Sequence, residues 1–358
     1  MRSIALTGFL LAFMANYVMA GDLDNKPYLL RFGTALRRAT GYPAAAALQA
    51  TAAHPEGWSI NPASHDVLNF GIEETTTGAK LANQNAWTQS GAWFTDSSVA
   101  ARISLPSQGT VSLAYARTDT IKGDTHEGFE NVLRSNEFFW GYSKSLTEQL
   151  AVGGMIRFLT AYFQEQTSTS ELPVPARFET DVESLDVNLG ARLQLNPVWS
   201  AGVIGGVGWG WASVDVANLA AFDNPVPPPE FIPAETRLFG FDDRHRTRAV
   251  RAGLGFTPTP ILGIYADGEF FQLTTAAGPG LDTSRFLCGV EIAPCPHRAV
   301  RFGMSVDRFG DTTLSAGLGV APVERIRFEV AYQYDAFPEI DLEFGKFHLL
   351  HLAVSMQY

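Results

Sequence analysis

The chain of 358 residues has a formal net charge of −11, and 46% of its residues are hydrophobic. The acidic balance argues against nucleic-acid binding, which requires a basic face. A mean hydropathy of +0.01 is too low for a helical membrane protein, but it suits a membrane β-barrel, in which only alternate residues of each strand face lipid.

Residues 1–20 have the pattern of a secretory signal peptide. Arg2 supplies the positive charge, residues 4–13 form a short apolar core, and Ala20 ends an acceptable cleavage site. A core of about ten apolar residues is short for a transmembrane helix, and no later stretch reaches about 18. We therefore expect an exported protein whose mature chain begins near Gly21.

The next segment, residues 21–64, lacks the alternation of a β-strand. Its centre, residues 42–53, is rich in alanine and favours a short helix, and a turn-like stretch that contains Pro55 and Pro62 follows. This segment cannot cross a membrane as a strand. It must lie either outside the barrel or inside it.

Residues 65–358 predict an all-β, antiparallel up-and-down transmembrane barrel. Short turns alternate with longer polar connections, as periplasmic turns and extracellular loops do in bacterial barrels. Residues 76–96 are interpreted as one loop, although another hairpin there would raise the number of strands from fourteen to sixteen. The predicted strands are 66–75, 97–105, 109–118, 134–143, 149–163, 181–195, 199–216, 244–256, 260–274, 284–293, 297–307, 312–320, 325–335 and 346–358.

The last strand alternates most clearly. Apolar side chains occupy every second position from Leu350 to Tyr358, and the positions between them are mostly small or polar. A terminal aromatic residue after such a pattern resembles the C-terminal strand of bacterial outer-membrane barrels. That resemblance implies that the barrel assembly machinery recognises the C-terminal strand that ends in Tyr358. An ordinary edge strand is the alternative.

Alternation places charged side chains in the lumen, because a charge at mid-bilayer costs about 2–4 kcal/mol. Both signs are present, which favours a ladder of ion pairs that stiffens the wall. A polar constriction that selects solutes is the alternative, and a ring of one sign would favour it. The predicted lumen-facing set is Arg102, Glu137, Arg157, Asp186, Arg192, Arg251, Asp267, Glu269, Glu291, Arg301, Asp307, Arg325, Arg327 and Glu329.

Aromatic residues near strand ends and on outer faces are interpreted as the girdles of a membrane interface, with carbohydrate stacking as the alternative. They are Trp140, Trp199, Trp209, Trp211, Tyr115 and Tyr162.

The connection 217–243 is long, acidic and rich in proline. Its aromatic residues are candidates for an apolar groove at the outer mouth, or they pack the loop against itself. Its carboxylates suit contact with lipopolysaccharide through divalent cations, or a solvated surface. The candidate groove residues are Phe222, Phe231, Phe239 and Phe241.

No motif with the context of a catalytic, metal or cofactor site is present, so we expect neither an enzyme nor a bound metal or cofactor. Cys288 is assigned to the lipid face and Cys295 to a turn. The two cysteines could oxidise in a periplasm. They lack the partners of a zinc or redox site and are interpreted as structurally incidental.

Asn61, Pro62 and Ala63 follow the alanine-rich stretch and directly precede the first predicted strand. This arrangement resembles the N-terminal hatch of the FadL-type family of hydrophobic-compound transporters, although Ser64 stands where glycine is usual in that family. The chain is also short for the family, and the kink through which such transporters release ligand sideways is not apparent in the sequence.

The resemblance implies a fourteen-stranded barrel in the outer membrane of a Gram-negative bacterium, with residues 21–64 as a hatch in the lumen. It also implies passive uptake of long-chain fatty acids or other apolar molecules. Two alternatives remain at this point. One is an open porin for small polar solutes, and the other is a plugged barrel that anchors or secretes proteins.

Overall fold

Alternating apolar and polar residues form β-strands along most of the chain, as the computed structural model shows. The structure describes Ala63 and residues 71–83, 91–105, 108–126, 129–167, 176–218, 236–276, 281–295, 297–323, 325–335 and 347–357. No helix in these ranges is long and apolar enough to cross a membrane.

Within the described ranges, fourteen strands pair antiparallel with their neighbours in chain order, which confirms the all-β up-and-down architecture. The first strand also pairs with the last, from Glu73 with Gln357 to Asn83 with Phe347, and so closes the sheet into a barrel. The strands are β1 Gly71–Asn83, β2 Gly91–Leu105, β3 Gly109–His126, β4 Phe129–Ser145, β5 Leu150–Thr167, β6 Ala176–Gln194, β7 Trp199–Asn218, β8 Thr236–Thr259, β9 Leu262–Thr275, β10 Leu281–Cys295, β11 Arg298–Asp307, β12 Thr312–Val323, β13 Ile326–Tyr334 and β14 Phe347–Gln357.

Several strands extend beyond their predicted ends. The interpretation of residues 76–96 as one loop is wrong, because β1 continues to Asn83 and β2 begins at Gly91. The start of β8 at Thr236, instead of residue 244, shortens the predicted loop 217–243. The backbone hydrogen bonds between neighbouring strands continue beyond the stretch in which one face of a strand is apolar. The alternation of apolar and polar residues in the sequence therefore marks only part of each strand.

The outward face carries a continuous apolar belt. In β6, for example, Leu185, Leu189 and Leu193 are exposed, whereas Ser184 and Asp186 on the opposite face are buried. The same holds in β10, β11 and β13, where exposed side chains include Phe286, Phe302 and Phe328. So many exposed large apolar side chains are not expected on a barrel surrounded by water.

The lumen face is partly apolar as well. Ala100, Ala114, Phe139 and Met155 form a buried cluster on β2 to β5. The prediction of a lumen defined by charges is therefore incomplete, because alternation assigns a face to a side chain but does not show which lumen residues pack together.

The connection between β11 and β12 is tight. Asp307 Oδ1 accepts hydrogen bonds from the backbone amides of Phe309 (2.8 Å) and Asp311 (2.9 Å). Gly310 adopts a φ of +92°, a conformation that side chains disfavour. Asp307 thus stabilises a turn at the end of the strand face that it shares with Arg301 and Ser305. Arg325 lies exposed in the turn before β13 and not in a strand, where the sequence placed it.

The two cysteines are free. Cys288 lies in β10 at an even position, on the same face as the exposed Phe286. Cys295 is the last residue of that strand and pairs with Arg298, whereas the sequence placed it in a turn.

Candidate functional site

Three clusters of ion pairs line the lumen, each centred on one arginine. In the first, Arg157 of β5 donates from Nε to Asp186 Oδ2 of β6 at 2.8 Å and lies 3.5 Å from Glu137 Oε2 of β4. Arg157 and Asp186 are direct partners in the β5–β6 register. All three side chains are largely shielded from solvent, at 14% exposure or less.

The second cluster joins β8 and β9. Arg251 Nε donates to Asp267 Oδ2 at 2.8 Å, and its Nη1 donates to Glu269 Oε2 at 3.2 Å. Asp267 is the most deeply buried of these carboxylates, at 1% exposure of the residue. A carboxylate so buried requires a partner, which Arg251 provides.

The third cluster spans four strands. Arg301 of β11 donates from Nε to Glu291 Oε2 of β10 at 2.6 Å, and its Nη1 lies 3.5 Å from Glu329 Oε1 of β13. Arg327 Nη1 lies 3.8 Å from the same Glu329 oxygen. The cluster therefore ties together strands that are not neighbours in the sheet.

Glycines on the lumen face make room for these side chains. A Cβ at Gly208 of β7 would collide with Asp186 Oδ1 and Thr247 Oγ1, and one at Gly253 would collide with Asp267 Oδ1. Thr247 of β8 consequently reaches Asp186 of β6 across β7, at 3.4 Å. Sequence reasoning missed this role. The available signal was glycine at alternate positions of one strand: Gly202, Gly206, Gly208 and Gly210.

Two further predicted lumen residues lie apart from the three clusters. Arg102 on β2 is buried at 5% exposure and is engaged by a polar partner. Arg192 on β6 is half-buried, with Nη2 3.5 Å from Gln194 Oε1. Each of the three clusters pairs both signs, so the described part of the lumen presents paired charges instead of a ring of one sign.

Apolar side chains lie beside these clusters on the lumen face. Leu159 is two residues from Arg157 on β5, and Phe271 and Leu273 follow Glu269 on β9. Leu159 and Leu273 are each only 1% exposed. The lumen face therefore carries buried apolar side chains as well as paired charges.

The hatch motif and the predicted groove are mostly beyond what the structure describes. Ala63 is fully buried, at 0% exposure, and lies in a 3₁₀ turn. Asn61, Pro62, Phe222 and Phe231 lie outside the described residues. Phe239 and Phe241 belong to β8, where their backbones pair with Val216 and Val214, so the structure places them in a strand and not in a loop.

A polar cavity of about 700 Å³ lies on the outward face of β4 to β6, at the end opposite the short turns. Its lining includes Arg134, Asn136, Tyr162 and Asp181. Tyr162 donates to Gln164 Oε1 at 2.9 Å. The lining combines charged and polar side chains with apolar surface, so this cavity differs in chemistry from the predicted apolar groove.

The aromatic residues assigned to girdles lie on the outward face. Trp209 and Trp211 are exposed in the second half of β7, and Trp199 is exposed at its start, beside a short turn. Trp140 is exposed in β4. Tyr115 donates to Asn136 Oδ1 at 2.7 Å on the outward face.

A closed antiparallel barrel with an outward apolar belt and tryptophans toward both ends defines the class of transmembrane β-barrels. Neither the family models nor the curated proteins contain a match to this sequence.

Solved structures define the fold more narrowly. The structure described as the CymD monoaromatic hydrocarbon channel superimposes with a TM-score of 0.58 at 12% identity, covering 89% of this chain and 97% of that one. The Pseudomonas putida toluene transporter TodX gives 0.56 at 11% identity, covering 90% and 97%. A Pseudomonas aeruginosa FadL homologue gives 0.56 at 10% identity, covering 88% and 96%. The chain therefore has the fold of FadL-type channels.

Proposed function

We propose that the protein is an outer-membrane channel for the passive uptake of hydrophobic compounds. The observation that carries this proposal is the likeness in fold, over about nine tenths of the chain, to CymD and TodX, which are described as a monoaromatic hydrocarbon channel and a toluene transporter. Those descriptions concern channels and not enzymes.

Residues 21–64 act as the hatch in this proposal. Support comes from the burial of Leu159 and Leu273 at 1% exposure and of Ala63 at 0%. A hatch requires material beyond the barrel wall, and residues 21–64 have the appropriate length for one. The paired charges of the three arginine clusters supply a rigid rim for such a hatch.

The physical reason for such a channel is the barrier that the polar lipopolysaccharide leaflet presents to apolar solutes. Transfer of an alkyl chain from water to an apolar site contributes about 0.8 kcal/mol per CH₂. Lumen-facing Phe139, Met155 and Phe271 offer such surface. Long-chain fatty acids and aromatic hydrocarbons are the candidate ligands.

The pairing of β3 favours exit from the lumen at the periplasmic end. β3 pairs with β2 and with β4 in unbroken register from Thr110 to Thr118, and its irregularities begin only after Asp119. Continuous ladders on both sides leave no gap for a ligand to leave sideways through this part of the wall.

Uptake by intact cells tests the proposal. The full-length protein is expressed in a bacterial host that lacks its own fatty-acid transporter, and entry of radiolabelled oleate and toluene is compared with entry of arabinose. We expect faster entry of oleate or toluene than in cells with the empty vector, and no change for arabinose. Faster entry of arabinose alone would support the porin, and no change for any solute would support the scaffold.

A further inference from the structure

The outward face of β8 carries three arginines directly beyond the apolar belt. Arg244, Arg246 and Arg248 occupy alternate positions, and all three are exposed. We propose that these residues form a binding site for the phosphate groups of lipid A, the membrane anchor of lipopolysaccharide. This inference rests on the proposed placement in the outer membrane and concerns a different surface from the transport path.

The register places the arginines at the level of the membrane interface. Val250, exposed at 51% in the apolar belt, is two residues from Arg248. Arg246 pairs with Trp209 and Arg244 with Trp211 on β7. Tryptophan is enriched where the hydrocarbon meets the headgroups, so the arginines lie at the depth of the headgroup phosphates.

The site has room for more than one phosphate. Arg244 and Arg248 are four residues apart, which is about 13 Å along a strand. The connection that precedes β8 covers residues 219–235, whereas every connection at the opposite end of the barrel has four residues or fewer. The arginines therefore face the outer leaflet, where lipid A is the phosphorylated lipid.

Among the described side chains, these arginines differ from those of the lumen in forming no ion pair. Arg157, Arg251 and Arg301 each contact two carboxylates. Within the described residues, by contrast, no ion pair forms at the three positions on β8. Arg246 instead lies 6.0 Å from the centre of the Trp209 ring.

The neighbouring strands leave the arginines available to an anion. On β9, Thr274 and Gln272 stand opposite Arg246 and Arg248 and are uncharged. Asp242 precedes Arg244 by two positions on β8, at the outer end of the row of arginines. The described carboxylates on the same face of other strands are Glu183 and Asp181 on β6, Asp215 on β7 and Asp282 on β10.

Arginine is the residue that suits this ligand. Its planar guanidinium donates two parallel hydrogen bonds to a phosphate, and it is less strongly hydrated than an ammonium group. The exposed faces of Trp209 and Trp211 provide a flat apolar surface beside the arginines, against which the sugar rings of lipid A can pack.

Binding of lipid A by the purified full-length protein in detergent tests the proposal. Three proteins are compared: the wild type, the triple variant Arg244→Gln/Arg246→Gln/Arg248→Gln, and the control Lys144→Gln/Arg298→Gln/Arg325→Gln. The control removes the same charge near the short turns. Native mass spectrometry measures the affinity for bisphosphorylated lipid A and for its dephosphorylated form.

We expect the β8 triple variant to lose at least tenfold in affinity for bisphosphorylated lipid A, with the control unchanged. We expect the wild type to lose a similar factor when lipid A is dephosphorylated. This second comparison uses the wild type alone, so it does not depend on whether the variant folds. Equal binding of the two lipids by the wild type, or equal binding by the folded β8 variant and the wild type, would overturn the proposal.

The test of the lipid A site and the test of the uptake function can fail independently of each other. A protein that imports oleate but binds both forms of lipid A equally would contradict the phosphate site alone. One that discriminates between the two forms but imports no apolar solute would contradict the uptake function alone.

Discussion

Arg301 of β11 reaches Glu329 of β13 across the whole width of β12, with 3.5 Å between Nη1 and Oε1. The path is open because the side of β12 that faces the lumen carries Gly319 there. A Cβ at Gly319 would lie 3.1 Å from Arg301 Nη1 and 3.2 Å from Glu329 Oε1. Glycine on one strand thus permits an ion pair between its two neighbours.

Replacing Arg301 with methionine should destabilise the barrel strongly. Glu329, buried at 3% exposure, would keep its charge without the Arg301 partner, and removing one member of a buried pair costs about 3–5 kcal/mol. Urea titration of the two proteins in lipid vesicles measures their free energies of unfolding, and the difference gives the loss of stability. The double variant Arg301→Met/Glu329→Gln should recover part of the loss. An Arg301→Met protein as stable as the wild type would show that the pair has no structural role.

The substitution Gly208→Ala should destabilise the barrel by about 1–3 kcal/mol, the usual cost of overpacking. The new methyl group would collide with Asp186 and Thr247. The matched control is Gly205→Ala on the same strand, where a Cβ meets nothing within 4 Å, and we expect it to be neutral or slightly stabilising. Urea unfolding of the two variants decides the question, and equal stabilities would refute the assigned role of Gly208.

The outward apolar belt predicts that the cost of an arginine on this face depends strongly on its depth in the membrane. Leu189 on β6 is 66% exposed and pairs with Gly205, about midway between Trp199 and Trp209 on β7, and Leu146 is 55% exposed in the turn between β4 and β5. Leu189→Arg should cost about 2–4 kcal/mol of folding free energy in lipid vesicles, as for arginine at the bilayer midplane, whereas Leu146→Arg should cost about 0–1. Similar costs at the two positions would contradict the placement of the membrane.

Ala63 provides a test of the hatch by point substitution. Its side chain is fully buried, so the ring of Ala63→Trp has no space and should displace the segment around it. We expect steady ion conductance from this variant in a planar bilayer and silence from the control Ala63→Gly. A silent Ala63→Trp barrel that folds normally would place the blockage elsewhere.

The strands and the faces of their side chains could largely be predicted from the sequence, since lipid on one side imposes alternation. Residues 76–83 and 236–243 are assigned to loops by the sequence because apolar and polar residues do not alternate regularly there. Thr76 and Thr77 are both polar, and Leu238 is followed directly by Phe239. Alternation disappears in such regions although the ladder continues.

The pairing of lumen charges could not be predicted from alternation alone. Arg301 and Glu329 share a face by parity, but their contact depends on the register across β12 and on the glycine between them. Apolar lumen residues such as Phe139 were missed for a related reason. They pack against each other inside the barrel, which a pattern on a single strand does not reveal.

Single-channel conductance in a planar bilayer tests the central claim most directly, with the full-length protein compared with a variant that lacks residues 21–64. The proposed channel predicts a silent full-length barrel that conducts steadily once the segment is removed. Steady conductance from the full-length protein would contradict a plugged channel for hydrophobic compounds and would favour an open porin.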